Sequence, residues 1–173
     1  YGTNNVVING HYAYVTIYNF GLQIIEISDP VNPVVAGSYD TPDMASNVFI
    51  SGNYAYVADY SSLQIINISD PANPTLTGSF EISRDVWGVY IVNNYAFLAN
   101  GYSGLRILNI SDPTTPIEVG LIAVTGGAQD LVVQGSYAYV ISNIVEPYTS
   151  FLRVVDISDP ENMRIVGGSD TMP

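Results

Sequence analysis

The chain has no cysteine and no lysine. The first absence removes disulfides and thiolate chemistry. The second leaves four arginines against sixteen acids, a formal net charge of −12. Binding to DNA or RNA needs a positive footprint, so this balance speaks against a nucleic-acid partner and disfavours an anionic membrane surface. A cationic ligand, a metal ion or a basic protein surface fits the charge. Charged residues make up only 12% of the 173 residues, about half the usual share, while 47% are hydrophobic. Sheets covered on both faces would explain that balance. No apolar run approaches membrane-spanning length, and no signal peptide is visible. The first residue is Tyr1 rather than methionine, which reads as a processed or excised segment. No segment carries helical periodicity over a useful length.

What the chain does have is a repeat. Tyr12-Ala13-Tyr14, Tyr54-Ala55-Tyr56, Tyr95-Ala96-Phe97 and Tyr137-Ala138-Tyr139 recur at intervals of 42, 41 and 42 residues. Each is followed by a second motif, ending at Ser28-Asp29-Pro30, Ser69-Asp70-Pro71, Ser111-Asp112-Pro113 and Ser158-Asp159-Pro160. A fixed period near 42 marks a repeat architecture.

Residues 47–88 show the unit. Asn47 to Ile50 is a short apolar run, Ser51-Gly52-Asn53 a turn, and Tyr54 to Ala58 a strand of aromatic and small residues in alternation. Asp59 to Ser62 reads as a loop, Leu63 to Ile68 as a third strand, Ser69 to Pro74 as a turn and Thr75 to Phe80 as a fourth strand. Four short antiparallel strands in about 40 residues is the signature of a propeller blade. A blade packed between two neighbours buries both faces, which suits strands such as Leu22 to Ile27 that are apolar on both sides.

The third strands read Leu22-Gln23-Ile24-Ile25-Glu26, Leu63-Gln64-Ile65-Ile66-Asn67, Leu105-Arg106-Ile107-Leu108-Asn109 and Leu152-Arg153-Val154-Val155-Asp156. With the preceding Tyr-Ala-aromatic strand and the following Ser-Asp-Pro, they resemble the LVIVD repeat family. The resemblance covers essentially the whole chain and implies β-propeller segments of bacterial or archaeal cell-surface or secreted proteins. It carries over no catalytic residue, because the motif is structural. Glu26, Asn67 and Asn109 depart from its Asp, and Met163 stands where other repeats have Pro33, Pro74 and Pro116.

The expected fold is therefore all-β: one β-propeller segment over 1–173, in four blades of four antiparallel strands, with repeats at about 5–46, 47–87, 88–129 and 130–173. Extending the register puts both ends at the phase of Asp43, so the chain covers four whole periods. Four blades are few for a closed ring. An open arc would leave an apolar blade face bare at each end, which is unusual for a soluble monomer. The expectation is an arc of a larger ring, or half of a two-chain ring, completed by more chain, a second copy or another protein.

The repeated motifs carry little chemistry. In the Ser-Asp-Pro turns the aspartate accepts backbone hydrogen bonds and proline presets the backbone. His11 lies in a turn that is Asn53, Asn94 and Ser136 elsewhere, and one histidine supplies neither a multi-histidine metal site nor a Ser-His-Asp triad. Asn67-Ile68-Ser69 and Asn109-Ile110-Ser111 match the glycosylation sequon at the strand end held by Glu26 and Asp156, a coincidence with the repeat. No phosphate loop and no Gly-x-Ser-x-Gly elbow occurs.

The variable positions fall in loops 16–21, 58–62, 99–104 and 141–150, and in the blade-to-blade loops 39–46, 80–87 and 122–129. In a propeller these open on one face. The candidate ligand or partner residues there are Tyr18, Phe20, Asp59, Tyr60, Arg84, Asp85, Trp87, Tyr102, Glu146 and Tyr148. Trp87 is the only tryptophan, with Asn4, Ser46 and Gln129 as its equivalents, and residues 143–150 hold the extra five residues of the last repeat. Tyrosine and tryptophan beside carboxylates suit a sugar, a cationic group or a protein hot spot. The plain alternative is a set of solvated loops. Asp40, Asp59, Asp85 and Asp130 could converge as oxygen ligands for Ca²⁺, or supply a carboxylate pair for glycoside cleavage. No Asp-rich loop with calcium spacing accompanies them, so no cofactor is expected.

The reading is a non-catalytic interaction or scaffold module of a cell-surface or secreted protein. It would bind a protein partner, or further copies of itself, through blade faces or the aromatic-acidic loop face. A glycan-binding propeller is the alternative, and a propeller hydrolase or lyase using carboxylates the third.

Overall fold

The computed structural model describes residues 2–144 and 149–172, with the backbone alone at Thr3, Arg84, Asp170, Thr171 and Met172. The described residues contain strands and turns and no helix, so none is long and apolar enough to cross a membrane. In chain order the strands are β1 (Thr3–Asn9), β2 (Tyr12–Ile17), β3 (Gly21–Glu26), β4 (Val34–Tyr39), β5 (Ala45–Ser51), β6 (Tyr54–Asn67) and β7 (Thr75–Val92). They continue as β8 (Tyr95–Asn100), β9 (Gly104–Asn109), β10 (Ile117–Ile122), β11 (Gly127–Gln134), β12 (Tyr137–Ile144), β13 (Thr149–Asp156) and β14 (Arg164–Met172).

The chain divides into two compact units, residues 1–83 with 113–115 and residues 84–112 with 116–173. In the first, β1-β2-β3-β4 form an antiparallel sheet in chain order, and β5, β6 and the start of β7 follow. In the second, the rest of β7 pairs with β8, which pairs with β9 and then β10, and β11-β12-β13-β14 form another antiparallel sheet. These strand pairings are between neighbours in sequence, as expected of four-stranded repeats joined by short turns, and a single bridge joins Gly101 to Ala128 of β11.

Two expected loops are strand instead. β6 runs through Asp59 to Ser62, where Tyr60 takes a left-handed φ of 41°. β7 runs through 80–87, with Asp85 at φ 68°. The reason is composition. Residues 80–87 hold no glycine or proline, whereas the matching loops carry Pro42 and Gly126.

Strand period and repeat period together set the core. One cluster joins Tyr14, Leu22 and Ile24 of the first repeat to Ala45, Val48, Ala55, Val57, Ile66 and Ile68 of the second. Another joins Phe97, Leu105 and Ile107 of the third to Ala128, Leu131, Ala138, Val140, Val155 and Ile157 of the fourth. The two clusters use the same repeat positions: in each pair the earlier repeat presents one set of side chains and the later repeat another. Burial of a leucine or isoleucine in such a face is worth about 1.5–3 kcal/mol.

Glycine in the fourth strand lets the next repeat approach. A Cβ on Gly37 would lie 2.3 Å from the Pro71 carbonyl oxygen, one on Gly78 2.3 Å from that of Pro113, and one on Gly120 2.1 Å from that of Pro160. The second, third and fourth repeats thus each seat an Asp-Pro turn on the preceding fourth strand, at a spot with no room for a side chain. Gly167 holds the same repeat position, yet a Cβ there meets nothing within 4 Å.

The outer repeats differ from the inner ones in what they cover. Val6 is 59% exposed, while its equivalents Val48 and Leu131 are 1% and 3% exposed. Leu152 and Val154 are only half-buried, while Leu22, Leu63 and Leu105, and Ile24, Ile65 and Ile107, are fully buried.

Candidate functional site

A bulge recurs where the first strand of each repeat meets the second. Register shifts fall between Thr3 and Asn5, Ala45 and Asn47, Val86 and Gly88, and Ala128 and Asp130. The residues passed over are Asn4, Ser46, Trp87 and Gln129. A bulge sets two residues of one strand opposite one of its partner and re-aims the extra side chain. The variable position read from the sequence is therefore the bulged residue, freed from the strand alternation that constrains its neighbours. In the first unit Asn4 donates from Nδ2 to the Ala45 carbonyl at 2.6 Å, and Ser46 from Oγ to the Ala58 carbonyl at 3.0 Å.

In the second unit the bulged Trp87 lines a cleft of about 250 Å³ with Asp85, Gly101, Tyr102, Gly127, Gln129 and Asn143. Three sequence candidates, Asp85, Trp87 and Tyr102, come together here. Gln129, Gly101 and Asn143 join them and were not singled out, although Gln129 had been aligned with Trp87. The floor is tight: a Cβ on Gly101 would sit 2.4 Å from the Asp85 Cβ. Asp85 is held at positive φ, a conformation costing of order 1 kcal/mol for a residue other than glycine. Tyr102 is 67% exposed at the rim. An aromatic pair, one carboxylate and two side-chain amides make a small surface that can stack on a flat or aliphatic group and hydrogen-bond at its edge.

The first unit has a cleft of about 440 Å³ lined by Ile17, Phe20, Gln23, Ser38 and Asp40. It contains the candidates Phe20 and Asp40, and Tyr18 stands on the same loop, partly exposed. Each of the two clefts holds one carboxylate among its lining residues.

Asp59, expected on the loop surface, is fully buried. Its carboxylate accepts hydrogen bonds from the Asp43 backbone N–H at 3.1 and 3.2 Å and from Ser62 Oγ at 3.3 Å, and Gln64 Nε2 donates to Ser62 Oγ at 2.7 Å. Burial pushes its pKa up, and the hydrogen bonds from Thr41, Asp43 and Ser62 oppose that rise. It ties the loop after β4 to β6 rather than offering oxygens to a ligand. Asp130 is exposed and accepts from the Leu131 N–H at 2.8 Å. Among the described residues no three or more His, Asp or Glu gather at metal-binding distances. Tyr60 is half-buried within β6. Glu146, Tyr148 and the side chain of Arg84 lie outside the described residues.

The repeated turns do what their composition predicts. Asp29 accepts from the Val31 N–H at 3.1 Å and from Asn32 Nδ2 at 2.7 Å, Asp70 from Ala72 and Asn73 at 3.0 and 2.9 Å, and Asp159 from Glu161 and Asn162 at 3.1 and 2.8 Å. His11 is an exposed turn residue whose carbonyl accepts from Ile27. Asn67 and Asn109 each accept the N–H of the serine two residues on, at 2.9 Å.

Architecture and comparison agree on the class: an all-β repeat protein of antiparallel sheets, propeller-like, with sheets that are not closed. The family model described as "LVIVD repeat" matches residues 2–41, 42–82, 83–124 and 125–171. The chain belongs to the LVIVD repeat family. Among solved structures it is similar to the computationally designed Ika8 protein, at 9% identity and a TM-score of 0.76 over 98% of this chain and 49% of that one. It is similar to a functionally unknown protein from Desulfotomaculum acetoxidans DSM 771, at 16% identity and 0.77 over 99% and 57%. The third is the Kuenenia stuttgartiensis hydrazine synthase, at 12% identity and 0.78 over 94% and 46%. The chain spans about half the length of these proteins, and the likeness concerns fold alone. Comparison with curated proteins finds no match.

Proposed function

We propose that the chain is a non-catalytic interaction module of a bacterial or archaeal cell-surface or secreted protein, built as four propeller blades. Its blade faces serve assembly and its loop face serves recognition. The observation that carries the recognition half is the cleft where the bulged Trp87 meets Tyr102 and Asp85. Aromatic anchors beside one carboxylate, on a chain of net charge −12, favour a basic peptide segment as the bound group. A sugar stacked on the same aromatics is the second reading. Hydrolysis or lyase chemistry is the third, and it is weakened because each cleft supplies one lining carboxylate where glycoside cleavage uses two. The module needs no cofactor in this reading.

Trp87 is the only tryptophan, so its fluorescence reports the cleft directly. Titration with Arg-rich and Lys-rich peptides should shift the emission, and Trp87→Ala should abolish binding measured by calorimetry. A response to neutral oligosaccharides alone would move the reading to glycan binding. Turnover of a polysaccharide, lost in Asp85→Asn, would make the chain an enzyme.

A further inference from the structure

The Trp87 cleft lies wholly within the second unit, and part of its floor is closed by backbone. Gly101 donates its N–H to the Ala128 carbonyl at 3.1 Å and accepts from the Ala128 N–H at 2.8 Å, which stitches the third repeat to the fourth beside the cleft. The Gly101 carbonyl also accepts from the Gly104 N–H at 3.0 Å. Both of its lone pairs are then used, and Gly101 has no backbone group left to offer a ligand. What meets a ligand here is side chains, and they lean toward acceptors. The half-buried Asp85 carboxylate only accepts when ionised. Gln129 donates from Nε2 to the Gly127 carbonyl at 3.2 Å. A carbonyl oxygen only accepts, so the amide is fixed that way round and Oε1 is the end turned away from Gly127. Asn143 stands exposed and adds a second amide. Among the described lining residues there is no cation. At the junction of the first two repeats the positions of Trp87 and Gln129 hold Asn4 and Ser46, and both are tied to backbone carbonyls, of Ala45 and Ala58. The bulged residues there hold the fold together; here they line a cleft.

We propose that this cleft reads arginine: it takes the guanidinium group of an arginine side chain on a peptide segment, stacked on Trp87 and Tyr102, with its edge N–H groups donated to Asp85 and Gln129. The inference rests on the basic-peptide reading above and narrows it to one head group. A guanidinium is planar, weakly hydrated and carries its N–H donors in a fixed fork, so it stacks on a ring and serves several acceptors at once. An ammonium is a compact, strongly hydrated point charge, and it loses more water for less contact. A sugar hydroxyl donates and accepts together, so it uses an acceptor-biased lining poorly. The cleft of about 250 Å³ holds the volume of about eight waters, room for one such head group and its stem.

The test uses the 173-residue chain and one peptide of glycine and serine carrying arginine, lysine or citrulline at its centre, with free L-arginine as a fourth probe. Trp87 emission and calorimetry give the affinities, and circular dichroism shows each variant folded. The arginine peptide should bind about tenfold more tightly than the lysine peptide, and the neutral isostere citrulline should lose more than that. Asp85→Asn should weaken arginine binding by about tenfold or more, and asparagine tolerates the left-handed backbone at that position. Gln129→Met, close in volume but without an amide, should weaken the arginine peptide severalfold and leave the lysine peptide unchanged. Equal affinities for arginine and lysine overturn the guanidinium inference and leave the basic-peptide reading standing. Citrulline bound as tightly as arginine overturns it as well, and so does a Gln129→Met chain that keeps the full preference for arginine. No response to either basic peptide sinks this inference and the basic-peptide reading together. Free L-arginine bound as tightly as the peptide supports the head group and makes its source a solute instead of a chain.

Discussion

Gly120 and Gly167 hold the same position in successive repeats, and their surroundings are opposite. A Cβ on Gly120 would lie 2.1 Å from the Pro160 carbonyl oxygen; one on Gly167 would meet nothing. Leu105 and Leu152 form a similar pair, the first fully buried and the second half-buried. Identical side chains at equivalent positions thus differ in burial according to whether another repeat lies over them. In a repeat protein the stability of a unit is a sum of its own term and a term from each neighbour.

The largest expected effect is in the leucines. Leu105→Ala should destabilise by about 2–5 kcal/mol, as for a buried leucine leaving a cavity, and Leu152→Ala by about 1 kcal/mol, both read from urea unfolding of dilute protein. Equal losses would break the comparison.

The glycines come next. Gly120→Ala should cost about 1–3 kcal/mol, because backbone must move to admit the methyl, and Gly167→Ala should stay within about 0.5 kcal/mol in the dilute chain. Thermal melts of the two variants at low concentration decide this.

A smaller contrast lies in the turns. Asp29 and Asp70 make the same hydrogen bonds, but only the Asp70 turn bears on a glycine of a neighbouring repeat. Asp70→Ala should therefore lower the melting temperature more than Asp29→Ala, measured side by side.

The smallest effects are in pH dependence, and two aspartates should act with opposite sign. Hydrogen bonds from Ser158, joined by Arg164, lower the Asp156 pKa to about 2. Its contribution is present above the ordinary carboxylate value and is lost as pH falls through about 2. Asp59 is pushed up by burial, so the folded chain holds its proton longer than the unfolded one. Stability should then decline as pH rises from the ordinary carboxylate value through the raised one. Acid titration of unfolding with Asp156→Asn and Asp59→Asn separates the two. Each variant should flatten its own part of the curve, and a single shared change would contradict the assignment.

Much of this was legible in the residues. Tyr-Ala-aromatic and Ser-Asp-Pro at a period near 42 marked the strands and turns, because alternation and turn chemistry are local. Trp87 stood out as the variable position. Its place on a bulge was not legible, because a bulge exists only where a partner strand skips a residue. Asp59 read as a surface acid because nothing local shows that Thr41 and Asp43 fold over it. The clustering of Asp85, Trp87 and Tyr102 came from the turn after β8 approaching residues 85–87 within β7, a contact between segments that the sequence keeps apart.

By itself the sequence determined the family, the four-strand repeat, the turns and the acidic, cysteine-free surface, since these follow from side-chain period, backbone preference and charge. Tertiary structure alone decided which copy of each repeated residue is covered. Gly37, Gly78 and Gly120 lie beneath a neighbour's turn and Gly167 does not, because burial belongs to the neighbour as much as to the residue, and no single strand encodes its neighbour.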